Sequence, residues 1–251
     1  MTTKNIPIKL MKDPIVDVVF EIRFASSTAA SGILPGFFFA KLNPTEWRIE
    51  SLPVAEIPSR LRSNDPNLRY QPLIKIDSEN FILLIGDRNI GIGCNMPYPG
   101  WSIFKDQIVK IGGLLSESNI VKTIERYSLK YVDVLEGNSL SDQIHKVDID
   151  IRVGNHTVKE ELFTLRLEIP NENFMSIIKI AAEAKVQTID GKVQKGSLVD
   201  IDTICNCTTS DLHTFTSELP DRLDAIHIVN KKTFFDCLRQ ETTDSLEPIY
   251  E

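Results

Sequence analysis

Residues that assemble reactive or cross-linked centres are scarce in this chain of 251 residues, which has four cysteines and four histidines. None of the cysteines forms a C-x-x-C pair, and four in this length are too few for a disulfide framework. Cys94 and Cys237 read as small core residues. Cys205 and Cys207 share a strand face with Cα atoms about 6.7 Å apart, near the upper limit for a disulfide, and reduced thiols are expected. His145, His156, His213 and His227 are widely spaced, with no H-x-H or H-E-x-x-H partner to build a metal site. His213 and His227 lie about four helical turns apart and cannot chelate one ion together. The G-x-S-x-G elbow of an α/β-hydrolase is missing as well.

Long apolar runs are also lacking. The longest, residues 33–42, is interrupted by Pro35, Gly36 and Lys41 and falls well short of the ~20 residues that cross a bilayer, so no membrane span is expected. The first residues carry lysines without an apolar stretch and cleavage site behind them, which points to a cytoplasmic protein. By the same reasoning Asn155-His156-Thr157 matches a glycosylation sequon by chance. Positive charge is in deficit: the net charge is −7, which disfavours a nucleic-acid partner. What remains is ordinary for a globular protein, with 42% hydrophobic and 25% charged residues.

The strongest pattern is alternation. Residues 15–24 place Val16, Val18, Phe20, Ile22 and Phe24 on one strand face, with Asp17, Glu21 and Arg23 on the other. Three short strands follow at 72–77, 81–86 and 90–96 with turns at Ser78-Glu79-Asn80 and Asp87-Arg88-Asn89, a meander. Alternation returns at 123–135, where Tyr127, Leu129 and Tyr131 oppose Arg126, Ser128 and Lys130. Further strands are predicted at 146–153, 162–169 and 197–207, with Asp190-Gly191 as a hairpin turn. Residues 175–185 read as strand, with a helix as the alternative because Ala181-Ala182-Glu183-Ala184 favours one. Helical spacing appears at Phe104, Ile108, Ile111 and Leu115. A short helix is expected within 31–42. A longer one begins near Ser210-Asp211, which supplies an N-cap, and runs toward Arg239, kinked or split at Pro220. The fold class is therefore α+β: two strand-rich halves, 1–137 and 138–251, with antiparallel meandering sheets, helices on one face and a long C-terminal helix. No repeat at the residue level links the halves.

Candidate chemistry reduces to two sets of charges. Asp148 with Asp150, and Asp200 with Asp202, each project two carboxylates from one face of a predicted strand and could hold a divalent cation. The commoner meaning is a solvated face that discourages edge pairing. Arg88, Arg126 and Lys130, with Arg60, Arg62, Arg69 and Lys75 elsewhere, could converge on a sheet surface and bind an anionic ligand. Gly86-Asp87-Arg88-Asn89-Ile90-Gly91-Ile92-Gly93 has a phosphate-loop texture, but it lies between strands and lacks the Lys-Ser/Thr ending, so it reads as a turn.

Three segments together carry a resemblance: Asn5-Ile6-Pro7 with residues 14–24, Glu125-Arg126-Tyr127-Ser128-Leu129-Lys130-Tyr131-Val132-Asp133, and Leu198-Val199-Asp200-Ile201-Asp202 followed by a helix with Phe234-Phe235. They resemble a sporadically distributed family of bacterial proteins of about this length. Ser128 and Lys130 stand where that family's strand carries Gly and Arg. The resemblance covers nearly the whole chain, implies no catalytic signature, and implies an association with antiviral defence loci.

The expected function is a non-enzymatic binding or regulatory module that recognises a protein partner or a small ligand and uses no cofactor. The alternatives are a metal-assisted hydrolase or nuclease using the paired aspartates, and a helix-grip pocket for an apolar ligand. The oligomeric state is open.

Overall fold

The computed structural model describes residues 5–42, 47–78, 80–187 and 193–250. In chain order the first elements are β1 (Lys9–Leu10), β2 (Ile15–Ser26), α1 (Leu34–Leu42), β3 (Arg48–Ser51), α2 (Ser59–Asn64), β4 (Ile74–Asp77), β5 (Phe81–Ile85), β6 (Asn89–Cys94) and α3 (Trp101–Glu117). They are followed by β7 (Val121–Glu136), α4 (Leu140–His145), β8 (Arg152–Val153), β9 (His156–Thr157), β10 (Thr164–Asn171), β11 (Phe174–Gln187) and β12 (Val193–Thr209). The chain closes with α5 (Leu212–Ser217), α6 (Leu219–Asp236), α7 (Gln240–Ser245) and β13 (Pro248–Ile249). This is the α+β class that the alternation predicts, and residues 175–185 are strand.

The chain forms two compact units, and each draws on distant parts of the sequence. Unit 1 comprises Met1–Asp17, Lys130–Thr203 and His227–Glu251; unit 2 comprises Val18–Leu129 and Ile204–Ile226. Long strands β2, β7 and β12 and helix α6 therefore contribute a stretch to each. Residue 137, where the two expected halves 1–137 and 138–251 meet, lies inside unit 1.

In unit 2 the strands hydrogen-bond in the order β7, β2, β6, β5, β4, β3. The pairs β2·β6, β6·β5, β5·β4 and β4·β3 are antiparallel. Even-numbered residues of β2, Val18 to Phe24, are buried as their alternation requires. Helices α3 and α5 cover that face. Phe104, Ile108, Ile111 and Leu115 all turn inward, each burial stabilising by roughly 1.5–3 kcal/mol. Phe215 of α5 meets the Tyr127 ring at 5.9 Å. At the start of α6, Asp224 accepts from Trp101 Nε1 at 3.2 Å and pairs with Lys105 Nζ at 2.6 Å, which ties α6 to α3.

In unit 1 the order is β10, β11, β12, β7. Leu135, Val147, Ile178, Ile180, Val199, Ile201, Phe234, Phe235 and Leu238 form its core. Buried Asn230 of α6 donates to the Ile201 carbonyl and to Thr203 Oγ1, both at 3.0 Å, and fixes the helix on β12. The N-terminal strand β1 pairs with the C-terminal β13.

One expectation needs correction. Residues 146–151 are not part of a strand, only Arg152–Val153 being one (β8): α4, capped by Ser139 accepting from the Asp142 N–H, extends to His145. Beyond it the Asp148 N–H donates to the Cys237 carbonyl and Thr242 Oγ1 to the Lys146 carbonyl. The backbone there is held by the connection between α6 and α7, and the Val147, Ile149, Ile151 alternation is not a sheet signal. The C-terminal helix divides close to Pro220, as expected, with the break at Glu218 between α5 and α6. The turns expected at Glu79 and at Asp190-Gly191 lie outside the described residues.

A repeat is present in topology. Apart from β3 and α2 in the first pass and β8, β9 and α5 in the second, the chain runs strand, helix, meander, helix from β2 and again from β7: β2, α1, β4 to β6, α3, and then β7, α4, β10 to β12, α6. In both passes the last meander strand pairs with the first strand of the pass, β6 with β2 and β12 with β7.

Candidate anion-binding face

Polar side chains gather on the face of unit 2 opposite α3. Odd-numbered residues of β2 point there, and Glu21 is the centre. Its Oε1 accepts from Arg23 Nε at 2.6 Å and from Arg126 Nη2 at 3.5 Å, while Oε2 accepts from Asn89 Nδ2 at 3.1 Å. Asn89 reaches it because β6 pairs with β2 in a register that sets Asn89 opposite Arg23 and Gly91 opposite Glu21. The Arg23 guanidinium lies 4.5 Å from the centroid of the Tyr70 ring, and the Tyr70 hydroxyl donates to Glu125 Oε2 at 2.7 Å. Burial and that carboxylate raise the Tyr70 pKa, with Arg69 opposing.

These contacts set the plane and direction of Arg23. Its Nε is spent on Glu21 and one face on Tyr70, while its two terminal nitrogens make no hydrogen bond among the described residues. The side chain is about a quarter exposed, at 27%. A guanidinium held by its inner edge with its outer edge open matches the two oxygens of a carboxylate or phosphate.

Of the predicted cations, Arg126 belongs to this cluster and Arg88 stands beside it in the turn between β5 and β6. The Arg88 carbonyl accepts from the Phe24 N–H at 2.9 Å. Asp87, next to it, is clasped by Arg62 Nη2 at 3.0 Å and Ser31 Oγ at 2.6 Å. The glycine-rich segment is thus a turn tied down by side chains.

Lys130 belongs instead to unit 1, where its Nζ lies 3.2 Å from Asp200 Oδ2, with Lys179 Nζ at 3.4 Å. Next to them sits Asp133, only 3% exposed. Its pKa is raised well above 3.8, first by desolvation and then by the charges of Asp13 and Asp200. The Asp13 pKa is also raised by burial, against its bond from the Ile15 N–H and the nearby Lys9. Asp133 is sealed from any substrate.

Asp148 and Asp150 are exposed on irregular chain rather than on a strand. Asp200 and Asp202 do share β12. Among the described residues no three His, Cys, Asp or Glu side chains come close enough to hold a metal ion. The space where α3 and α5 pack over Ile22, Leu115 and Phe215 is about 10 Å³, room for one water and not for an apolar ligand. No helix among the described residues is long and apolar enough to cross a membrane.

No protein-family model matches the chain, and no curated protein sequence is similar to it.

The residues that organise the candidate face, Glu21, Arg23, Asn89 and Tyr70, are the ones that charge counting passes over. Glu21 and Arg23 were readable only as the polar side of an amphipathic strand. Tyr70 and Asn89 come from distant segments, and nothing local marks them.

Proposed function

We propose that the chain is a non-enzymatic recognition module that docks an acidic segment of a partner protein on the polar sheet face of unit 2. The observation that supports this is Arg23, oriented by Glu21 and Tyr70 with its terminal nitrogens open on a half-buried surface. Arg23 reads the partner's carboxylate bidentately, and Arg126 and Arg88 lend local positive potential against the acidic net charge of the chain. Pre-orientation matters because a guanidinium that is already immobilised loses little side-chain freedom on binding. The family resemblance adds the setting, a subunit of a bacterial antiviral defence system.

Titration with an oligoglutamate peptide tests the reading by thermal shift. Stabilisation is expected to approach about 2.7 kcal/mol at a hundredfold excess over the dissociation constant. It should vanish in Arg23→Ala and stay weak in Arg23→Lys, which keeps the charge but lacks the fork. An equal shift in wild type and Arg23→Ala, or none in either, would reject it. A magnesium-versus-EDTA assay on nucleotides and nucleic acids separates this reading from the hydrolase alternative.

A further inference from the structure

The two topological passes differ at their outer edges. In the first, β4 is covered by β3, with Arg48 opposite Asp77 and Ser51 opposite Ile74. In the second, the segment between α4 and β10 folds into the β8–β9 hairpin, a separate two-stranded sheet. Among the described residues, β10 therefore ends its sheet with no strand on its outer side. It is exposed on both faces, with Leu167 at 42% and Ile169 at 45%.

Which backbone groups point outward follows from the β10·β11 ladder. Thr164 pairs with Ala181 and every later pair keeps that register. One step before it, the Ala182 N–H donates to the Phe163 carbonyl at 3.2 Å. In an antiparallel ladder hydrogen-bonded pairs alternate with non-bonded ones, so odd residues of β10 bond to β11. Even residues, Thr164, Arg166, Glu168 and Pro170, turn their backbone groups to the open edge.

A strand added there must hydrogen-bond to those even positions, and the sequence Leu165-Arg166-Leu167-Glu168-Ile169 is complementary to itself. We infer that β10 pairs antiparallel with β10 of a second copy, about a two-fold axis through Leu167. Arg166 then faces Glu168 of the other copy, and Glu168 faces Arg166, in hydrogen-bonded pairs. Leu165 faces Ile169, and the two Leu167 side chains meet on the axis. Sliding by two residues either way opposes Arg166 with Arg166 or Glu168 with Glu168, so charge selects one register. The contact is isologous, as a closed dimer requires.

Pro170 brings no N–H to that edge. In the selected register it lies opposite Thr164 and forfeits one bond at each end, which stops the ladder from extending. Charges and proline on an edge usually guard against pairing. Here Arg166 and Glu168 alternate in sign, already pair within the chain at 2.6 Å and are half exposed, so they block wrong registers and admit this one.

Sedimentation of the full chain across a concentration series tests the inference. The wild type is expected to dimerise, while Arg166→Glu and Glu168→Arg should each be monomeric because like charges then face one another. Mixing the two variants should restore a dimer, since every cross-strand pair then joins opposite charges. Independently, Leu167→Cys should form an oxidised, covalently linked dimer that the wild type does not, since opposed Cα atoms about 4.5–5.5 Å apart suit a disulfide. A wild type that stays monomeric with no Leu167→Cys crosslink overturns the inference. So does a dimer that both single charge reversals leave intact.

Discussion

Asp133 shows how much one side chain can set. Strand alternation puts it on the same side as Tyr127, Leu129, Tyr131 and Leu135, so an acid stands in an apolar row, and burial disfavours its charged form. Its folded-state pKa lies above the ordinary 3.8, so between those two values the folded chain keeps a proton that the unfolded chain releases. The stability tied to this group is fully present below pH 3.8 and is lost as pH rises through the folded-state value. Asp133→Asn should remove that dependence, raising stability at neutral pH by about 1 kcal/mol or more and flattening the fall in melting temperature above pH 4; parallel curves for the two proteins would contradict the account. Gly196 is a second such point. A Cβ there would lie 2.2 Å from the Leu135 carbonyl oxygen, a backbone atom that cannot swing aside. Gly196→Ala is expected to destabilise by about 1–3 kcal/mol in urea unfolding.

Among the elements, the ones with a clean period were legible in the sequence. The four-residue stripe of α3, the even face of β2 and the three-strand meander fell where the spacing placed them, because each has one dry face and one wet one. Strand β11 was harder, since Ala181 to Ala184 favours a helix locally, and its pairing with β10 overrides that preference. Residues 146–153 misled because alternation also arises in an extended segment held by single hydrogen bonds. The polar clusters were least legible. Glu21 gathers Arg23, Arg126 and Asn89 from three strands, and no spacing along the chain encodes that meeting. Caps, by contrast, are local: Ser210-Asp211 signals a helix start, and of the two it is Asp211 that accepts from the Thr214 N–H, at 2.9 Å. Asp211→Ala should lower stability by about 1 kcal/mol, measured by thermal unfolding.

For the whole molecule, the interleaving of the chain decides what can fold alone. The turn-forming Glu136-Gly137-Asn138-Ser139 suggests a division of the chain near residue 137. The core of unit 1 does not respect that division. Leu135, at the end of β7, packs in one cluster with Val199, Ile201 and Phe234, and the Gln143 side chain donates to the Gly137 carbonyl at 3.2 Å. Terminal strand β1 pairs with β13. Unit 2 likewise needs α5 and the start of α6 over α3, through Phe215, Leu219 and Asp224. A fragment of residues 138–251 therefore lacks β1 and the β7 stretch that close its own core, and exposes the apolar side of β12. It is expected to show no cooperative thermal transition and poor amide dispersion in solution. Adding residues 1–137 as a separate chain should restore both, because the missing strands then return to their places in the sheet. An independently folded 138–251 would mean that β12 and α6 suffice without β7, against the packing of Leu135 in that core.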